Sequence, residues 1–553
     1  MNSISNTISK NEDMTRGNVY NHLAQMKSMI QKNDGIRKFS PKTTSCHDQQ
    51  APFASSEYSY ISLTHPDHHI THISDGFIHM VARYSFTLSG VTDSNIVDED
   101  GLLKLFVGHK RSNQVFYQLW IRNRNRSTGY EQNQMIREGY AMAQTMGYDS
   151  CKGHKFTHSL YEDVSSYNQN VCGTYINTSM MKDGQAHDVD IEYIIPVDDL
   201  AAFQAFDYYP NALLGDIELY FLVRDEGLVW CQIDPHVVFD TKTLLQDENI
   251  KVKLPDVIPF DHKFQQIGNP ATIITKWLPY GESDGTKNVA AEGSLECGRA
   301  TLHCNSMTVM KMESCMSGFK VCDETLRQAA QLFSDPCYIP SQHLFFNTFP
   351  QKANEGGLET TLNAPFENVT DMMIMFPKRS NDITVFENPM IDNFYLKTLG
   401  VQYPDKPIST QGAKFLRYQL QAADLDGGIR CTKEFTDSYT MARNDSNGTR
   451  YKNCLSDGTD FVLHVQTERA GAGYVFDGIC SDGKSEAIEI KFSPIYSGAN
   501  DTYYNFDTTN ADLHPPAPQV WFVSDTYWEL STKNGLIYHK KGVPPGALAI
   551  GCE

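Results

Sequence analysis

The sequence predicts an all-β protein, built mainly of strands with a few short helices and arranged as two antiparallel sandwiches in tandem. Short apolar segments with a period of two recur from about residue 72 onward, and this pattern restarts after about residue 270. The chain contains 28 Tyr and 29 Phe, and aromatic side chains favour half-buried strands. Its 553 residues exceed what one hydrophobic core usually serves, which favours two large domains.

Residues 1–60 are predicted to form a polar arm that contains one short helix. Apolar residues recur there at spacings of four, three and four, which places them on one helical face, and Gly35 is a plausible stop. The apolar stripe consists of Val19, Leu23, Met26 and Ile30, and the basic residues include Lys27 and Lys32. Two interpretations stay open: a solvated arm with one packed helix, or an arm that contacts an inner partner.

Residues 61–262 are expected to form the first sandwich. Strands are predicted at 77–86, 102–108 and 113–121 from their length and their β-branched and aromatic content. Residues 216–234 are predicted to form two strands that fold back on each other near Gly227. The clearest alternation places Val189, Ile191, Tyr193 and Ile195 on one face and Asp188, Asp190 and Glu192 on the other. That strand should bury one face and expose the other.

Residues 263–553 are expected to form the second sandwich and a C-terminal tail. The predicted strands are 271–278, 371–376, 393–401, 460–468, 486–493 and 520–530. Helical patterns are few in the whole chain, and the best are 131–146, 323–333 and 413–421. Sixteen strands of about six residues would occupy only about 100 positions. Most of the chain is therefore expected to lie in long connections, which usually carry function.

Charge and cysteine usage exclude several classes of protein. With 47 Lys and Arg against 67 Asp and Glu, the net charge is −20, which disfavours wrapping of a phosphate backbone. The start lacks a basic segment followed by an apolar one, and no apolar run approaches the roughly 18 residues of a membrane span. The 13 cysteines are scattered without a C-x-x-C pair, as is typical of reduced thiols. We expect a soluble protein, made in the cytosol and not secreted through a signal peptide.

One segment, from Gly478 to Ser485, matches the phosphate-binding loop G-x-x-x-x-G-K-[ST] at every position. Such a loop needs a following helix, whose N-terminal amides and dipole hold the phosphates. The next residues alternate instead, with Ile488, Ile490 and Phe492 on one face. A hairpin turn before a strand is therefore predicted, rather than a nucleotide site.

A second segment, Gly281 to Gly285, matches the G-x-S-x-G pattern of hydrolases, with Ser283 in the position of the nucleophile. That pattern works only where a strand precedes the serine and a helix follows it directly. The residues that follow break at Gly293 and show no sustained helical period. A polar turn between strands is predicted, so neither motif indicates an enzyme.

Three further clusters have metal-binding residue types, and each is interpreted without a metal. A histidine cluster would lie on a strand, where neighbours point to opposite faces, so solvated or hydrogen-bonded rings are predicted. The segment 424–427 begins like a calcium loop but lacks the later oxygen ligands. A cysteine group matches no zinc spacing and is predicted to be buried thiols. The histidines are His65, His68, His69 and His72, and the cysteines are Cys297, Cys304, Cys315, Cys322 and Cys337.

Six strings, taken together and in order, carry a resemblance to one protein family. They are YEQNQMIREGYA (130–141), FTHSLYEDVSSYNQNVCGTYI (156–176), FQAFDYYPNALLGDIEL (203–219), LVWCQIDP (228–235), NPMIDNFYLKTLGV (388–401) and GAKFLRYQLQAADLDGG (412–428). The sequence in these strings resembles the major capsid proteins of polintons (Mavericks), polinton-like viruses and virophages. The resemblance spans residues 72 to 530 and contains no catalytic residue to transfer.

The resemblance implies a double jelly roll: two tandem eight-stranded jelly-roll sandwiches with long loops. Three copies would form a pseudo-hexameric capsomer in the shell of an icosahedral DNA virus, so the chain would lie in the virion. Its implied partners are two further copies, neighbouring capsomers, and penton and minor capsid proteins. The segment from Val19 to Ile30 would face inward, toward minor capsid proteins, an internal membrane or packaged DNA. No catalytic residue, cofactor or metal is implied.

Two other functions are alternatives at the level of sequence. Jelly rolls also serve carbohydrate-binding surface proteins, although the missing signal peptide and the unpaired cysteines weaken that interpretation. A nucleotide-binding or hydrolytic enzyme would use Lys484 and Ser485, or Ser283, and the local patterns at both places do not suit the chemistry.

Overall fold

The structure, a computed structural model, consists of antiparallel β-sheets and a few short helices. The structure describes residues 36–40, 45–48, 52–90, 104–109, 112–123, 126–133, 172–177, 182–197, 203, 208–223, 228–233, 265–266, 271–277, 297–348, 358–362, 368–375, 391–398, 401–408, 463–467, 478–479, 486–492, 518–539 and 542.

Sixteen strands, one short α-helix and one 3-10 helix (Ser112–Val115) precede residue 322 among the described residues. The strands are β1 (Ile36–Ser40), β2 (Ser45–Asp48), β3 (Phe53–Ala54), β4 (Tyr58–Ser62), β5 (Ile70–Ser89), β6 (Lys104–His109), β7 (Phe116–Asn123), β8 (Arg126–Asn133), β9 (Cys172–Asn177), β10 (Ala186–Pro196), β11 (Tyr208–Tyr209), β12 (Ile217–Val223), β13 (Val229–Ile233), β14 (Gln265–Gln266), β15 (Ala271–Trp277) and β16 (Cys297–Val321). Helix α1 (Asn211–Leu214) lies between β11 and β12.

Nine strands follow helix α2 (Asp323–Leu332). They are β17 (Cys337–Thr348), β18 (Leu358–Leu362), β19 (Val369–Met375), β20 (Ile391–Thr398), β21 (Val401–Ile408), β22 (Leu463–Gln466), β23 (Glu486–Phe492), β24 (Gln519–Ser531) and β25 (Gly535–His539). The predicted helix at 323–333 is confirmed by α2, which carries Asp323 and Glu324 in its first turn, where carboxylates favour the helix dipole.

Strands β17 to β24 pair in a nested way that makes a jelly roll. The antiparallel pairs are β17 with β24, β18 with β23, β19 with β22, and β20 with β21. The pairs therefore alternate between two sheets. One is ordered β17-β24-β19-β22, with β25 as a fifth strand on β24, and the other is ordered β18-β23-β20-β21. A long antiparallel ribbon that is folded over in this manner produces the two Greek keys of a jelly roll.

The first half of the chain has the same nesting. Strand β4 pairs with β12, β5 with β10, β6 with β9, and β7 with β8, all antiparallel. Here the innermost pair lies beside the outermost one, in a sheet ordered β4-β12-β7-β8. Tandem all-β sandwiches with nested antiparallel strands, as the sequence predicts, are thus the architecture of the described residues.

Strand β16 is the longest strand in the described ranges, with 25 residues, and it pairs with β5 from Thr301 to Phe319. Its other edge is covered in turn by β15, β3, β2 and β1. Covering both edges of a long strand removes a template for aggregation. The predicted domain boundary at 262–263 lies outside the described residues, and β15 and β16, which follow it, pair within the sheet of β5.

Strand β10 confirms the predicted alternation. Ile191, Tyr193 and Ile195 are buried, whereas Asp190 and Glu192 point outward. The buried Tyr193 hydroxyl is satisfied by the hydroxyl of Tyr84 at 2.8 Å. Burying each of these apolar side chains favours folding by about 1.5–3 kcal/mol.

The predicted hairpin at 216–234 is wrong in its pairing, although both strands exist. Strand β12 lies between β4 and β7, so both of its edges are occupied, and β13 pairs instead with β6 and β14. Adjacency in sequence favoured a hairpin, but the nested ribbon places the two strands in different sheets.

One continuous cluster of buried apolar side chains joins the two halves. From the second half it includes Trp528, Leu530, Leu536 and Tyr538, which pack in one cluster with residues of β5, β7, β10 and β12. The turn between β24 and β25 approaches β7 so closely that a Cβ on Gly535 would lie 2.5 Å from Asn123 Oδ1. The two sandwiches are therefore in direct contact.

Candidate functional surfaces

The predicted arm contacts lie outside the described residues. These are Val19, Leu23, Met26, Ile30, Lys27 and Lys32. Ser283 and the segment 424–427 are also outside them, although the strand predicted before Ser283 is present as β15.

The phosphate-loop motif is followed by a strand, as predicted, because Glu486–Phe492 forms β23. Close backbone packing explains why the first residue of the motif, Gly478, is a glycine. A Cβ on Gly478 would lie 2.3 Å from the carbonyl carbon of Asn368, and Ile479 exchanges two backbone hydrogen bonds with Val369, of 2.8 and 3.1 Å. Gly478 therefore allows two backbones to touch, and the rest of the motif before Glu486 lies outside the described residues.

The four clustered histidines have different environments. The backbone N–H of Asp67 donates to His65 Nδ1 at 3.1 Å, and His69 Nδ1 lies 3.0 Å from the Val321 carbonyl oxygen. His72 stacks on Tyr208 with 4.6 Å between ring centroids. His68 is buried, with its ring beside Gly318. Hydrogen bonds thus involve His65 and His69, as predicted, whereas His68 and His72 are placed by packing. The prediction that the cluster lies on a strand is wrong, because only His72 lies on one, β5.

Three of the predicted buried thiols are confirmed, since Cys304, Cys315 and Cys337 are buried. Burial raises the pKa of the Cys337 thiol to about 12, so it stays protonated at neutral pH. Cys322 is half-buried beside the Thr325 hydroxyl at 3.2 Å, and the side chain of Cys297 is not described. The described residues contain no group of three or more His, Cys, Asp or Glu side chains placed to hold a metal ion.

None of the helices within the described ranges is long and apolar enough to cross a membrane.

A charged ladder runs across the outer face of the sheet formed by β16, β5 and β10. Arg83 donates two hydrogen bonds to the Asp190 carboxylate, of 2.7 and 2.8 Å. Across the same strands, His79 lies between Glu313 at 3.3 Å and Glu192 at 2.7 Å.

Ion pairing shifts the acids of this ladder. The hydrogen bond from Arg83 lowers the pKa of Asp190, and that from Lys311, followed by that from His79, lowers the pKa of Glu313 against the effect of burial. A lowered pKa in the folded state means that these pairs stabilise the fold above the ordinary pKa of the acid. This contribution to stability is lost as the pH falls from the ordinary pKa of the acid through its lowered pKa in the folded state.

A second outer surface, on β4, β12 and β7, is aromatic. Tyr60 and Trp120 both lie opposite Tyr220 in the strand register, with ring centroids 5.2 and 5.8 Å from the Tyr220 ring. Tyr58 contacts Trp120 edge-on at 5.2 Å. The Arg122 guanidinium lies over the Tyr220 ring, 4.1 Å from its centroid. We call this set of Tyr58, Tyr60, Trp120, Arg122 and Tyr220 the aromatic face.

The aromatic face is open to solvent. Tyr58 and Tyr60 are 62% and 48% exposed, and no other large apolar side chain described in the structure is as open. Exposed contiguous apolar patches usually mark interaction sites. Sequence reasoning missed this face: alternation places Tyr58 and Tyr60 on one side of a strand, but the pairing with residues about 60 and 160 positions away is not visible in the sequence.

A buried corner near α1 lies within one of the strings that carries the family resemblance. Asn123 Nδ2 donates to the Tyr209 hydroxyl at 2.8 Å, and that hydroxyl donates to the Gly215 carbonyl at 2.9 Å. Asn211 Nδ2 donates to the His68 carbonyl at 2.8 Å. Buried polar groups that are satisfied in this way fix a single corner conformation. The string is therefore structural.

The chain is similar to several solved structures. No family model and no curated protein sequence matches it. The cryo-EM structure of the Sputnik virophage shares 9% identity with a TM-score of 0.43, covering 93% of this chain and 90% of that one. The mavirus major capsid protein shares 8% with a TM-score of 0.42, covering 90% and 89%. PBCV-1 VP54, fitted into a reconstruction of the virophage Sputnik, shares 9% with a TM-score of 0.40, covering 91% and 97%. Virophage structures are thus among those similar to this chain.

Proposed function

We propose that this chain is a major capsid protein that builds the shell of an icosahedral DNA virus of the polinton-like or virophage group. The observation that carries the proposal is the tandem pair of nested, antiparallel ribbons in one chain, joined by one continuous core. The sequence strings resembling that family run through both ribbons. The role is structural rather than catalytic.

A tandem pair of sandwiches suits a shell for a symmetry reason. Three copies around a three-fold axis present six sandwiches, which approximates six-fold symmetry with one gene product. The closed symmetry repeats each contact three times, so the interaction free energies of three equal contacts together stabilise the trimer. Neighbouring capsomers, and penton and minor capsid proteins, would then meet the outer edges of this trimer.

A rigid subunit is needed for such an assembly, and the junction between the sandwiches supplies it. The Trp528 cluster and the close approach of Gly535 to Asn123 hold the two sandwiches against each other. A subunit whose halves moved independently would lose more entropy on assembly.

The capsid proposal predicts that the purified chain forms trimers or larger particles. Light scattering coupled to size-exclusion chromatography should give the mass of three chains of 62.4 kDa each, about 187 kDa, or more. Electron micrographs of the source material should show icosahedral particles that contain the chain. A stable monomer, or micrographs without particles, would contradict the proposal.

The N-terminal arm is proposed to contact an inner partner of the shell. Its basic residues contrast with the net charge of −20 of the chain and would suit minor proteins, an internal membrane or packaged DNA. Deleting residues 1–35, which keeps β1 on the edge of β16, is expected to leave the trimer intact but to impair particle formation, as measured by light scattering and electron microscopy. Particle yields equal to those of the full chain would remove this proposal while leaving the capsid role in place.

A further inference from the structure

We infer that the aromatic face of β4, β12 and β7 is a contact surface between copies of this chain. The inference rests on the proposed assembly and adds to it the place of one contact. Its side chains form a grid in which Tyr220 is the centre, with Tyr60 and Trp120 on either side along one row. The adjacent row places Glu218 opposite Arg122 on the same face.

The orientation of the rings argues for a protein partner rather than a sugar. Tyr60 and Trp120 lie nearly parallel to Tyr220, at 21° and 19° between ring planes, so the rings stack on one another. Arg122 covers part of the Tyr220 ring as well. A sugar or a nucleobase stacks on an open ring face, and here the faces of Tyr220 are already in contact with their neighbours.

The residue types and their support suit a stable interface. Tyr, Trp and Arg are the residues that most often dominate the binding energy of protein interfaces. These side chains are held on hydrogen-bonded strands and by one another, and Tyr58 also donates to Gln118 Oε1 at 2.9 Å. Because they are already ordered, little side-chain entropy is lost on binding.

Charge argues that the partner is a second copy. The chain carries a net charge of −20, so copies repel each other except where the surface is neutral. On β12 and β7 the acid Glu218 is opposite the base Arg122, and the neighbouring strand β8 adds one acid, Glu131, opposite Trp120, so this surface is close to neutral. The charged ladder on β16, β5 and β10 is less suitable, because Asp188, Asp190, Glu192 and Glu313 outnumber Arg83 and Lys311 there.

The size of the grid fits the centre of an interface. Three strands spaced about 4.8 Å apart and three rows about 6.8 Å apart give, with their side chains, roughly 300 Å². A standard interface buries about 800 Å² on each partner. The aromatic face would therefore form the central part of the contact, and surrounding residues would form its rim.

The double variant Tyr58→Ser and Tyr60→Ser tests the inference. Both side chains are largely exposed, so the fold should persist, which circular dichroism and an unchanged melting temperature would verify. We expect the dissociation constant for self-association to rise at least tenfold, as measured by sedimentation velocity over a range of concentrations. The matched control, Arg327→Ser with Gln328→Ser on exposed positions of α2, should associate like the parent chain.

The outcomes separate this inference from the capsid proposal. If the parent chain forms trimers and the double variant associates equally well, the aromatic face is not the contact, and the capsid proposal is unaffected. If the parent chain is monomeric, the capsid proposal itself fails. A third experiment titrates the chain with soluble oligosaccharides and measures binding by tryptophan fluorescence. Saturable binding that the double variant loses would assign the face to a sugar and overturn the inference.

Discussion

Replacing Trp528 by alanine is expected to lower the free energy of unfolding by about 3–5 kcal/mol. The side chain is fully buried, its ring centroid lies 4.7 Å from that of Tyr538, and it belongs to the cluster that joins both sandwiches. Removing the indole leaves a cavity between elements that β-sheet hydrogen bonds hold in place, so the site has little freedom to collapse. Chemical denaturation followed by far-ultraviolet circular dichroism measures the loss.

The matched control for this change is Trp120→Ala on the aromatic face. That side chain is half-buried, so its loss should cost clearly less stability than the loss of Trp528. The substitution Trp528→Phe keeps an aromatic ring in the cluster and should fall between the parent and the alanine variant. Equal stability of the two alanine variants would show that the Trp528 cluster does not join the sandwiches as described.

Gly478→Ala is expected to cost about 2–4 kcal/mol of stability, combining overpacking with weakened backbone hydrogen bonds. The added methyl group would lie 2.3 Å from the Asn368 carbonyl carbon and 2.6 Å from the Val369 nitrogen. Both are backbone atoms, which cannot rotate away as a side chain does. Relief therefore requires Val369 and Ile479 to separate, which strains their hydrogen bonds. Thermal unfolding of the variant gives the measurement.

Comparing Gly478→Ala with Lys484→Ala distinguishes packing from phosphate binding at this motif. Lys484→Ala removes the residue that a phosphate-binding loop needs most. We expect no measurable nucleotide binding by the parent chain and a large stability loss only for Gly478→Ala. Nucleotide binding by the parent that Lys484→Ala abolishes would reverse the interpretation.

The strands that sequence reasoning found best are those in which period two is unbroken. In β10 the alternation predicts both the strand and its buried face, because one side of the sheet meets the core and the other meets solvent. Strand β24, predicted at 520–530, is buried on both faces. When one face or both faces of a strand are buried, the apolar residues of that strand form a pattern that can be recognised without knowing its neighbours.

The longest described strand, β16, escaped prediction for a physical reason. Its pairing with β5 contains three irregularities, between Cys304 and Ser306, Val309 and Lys311, and Cys315 and Ser317. Each bulge moves the following residues to the opposite face, so the apolar residues do not keep one alternating pattern. Its cysteines, Cys297, Cys304 and Cys315, are predicted from the sequence to be buried thiols, without a strand.

The sequence by itself determined the class of the protein: β-strands in two successive sets, a structural reading of two motif matches, and strings that resemble one capsid family. It did so because alternation, composition and turn residues are local properties. Only the tertiary structure decided which strands pair, since β4 meets β12 and β17 meets β24 across more than 150 residues. The aromatic face exists only after that pairing, because Tyr60, Trp120 and Tyr220 come from three strands whose register no local pattern specifies.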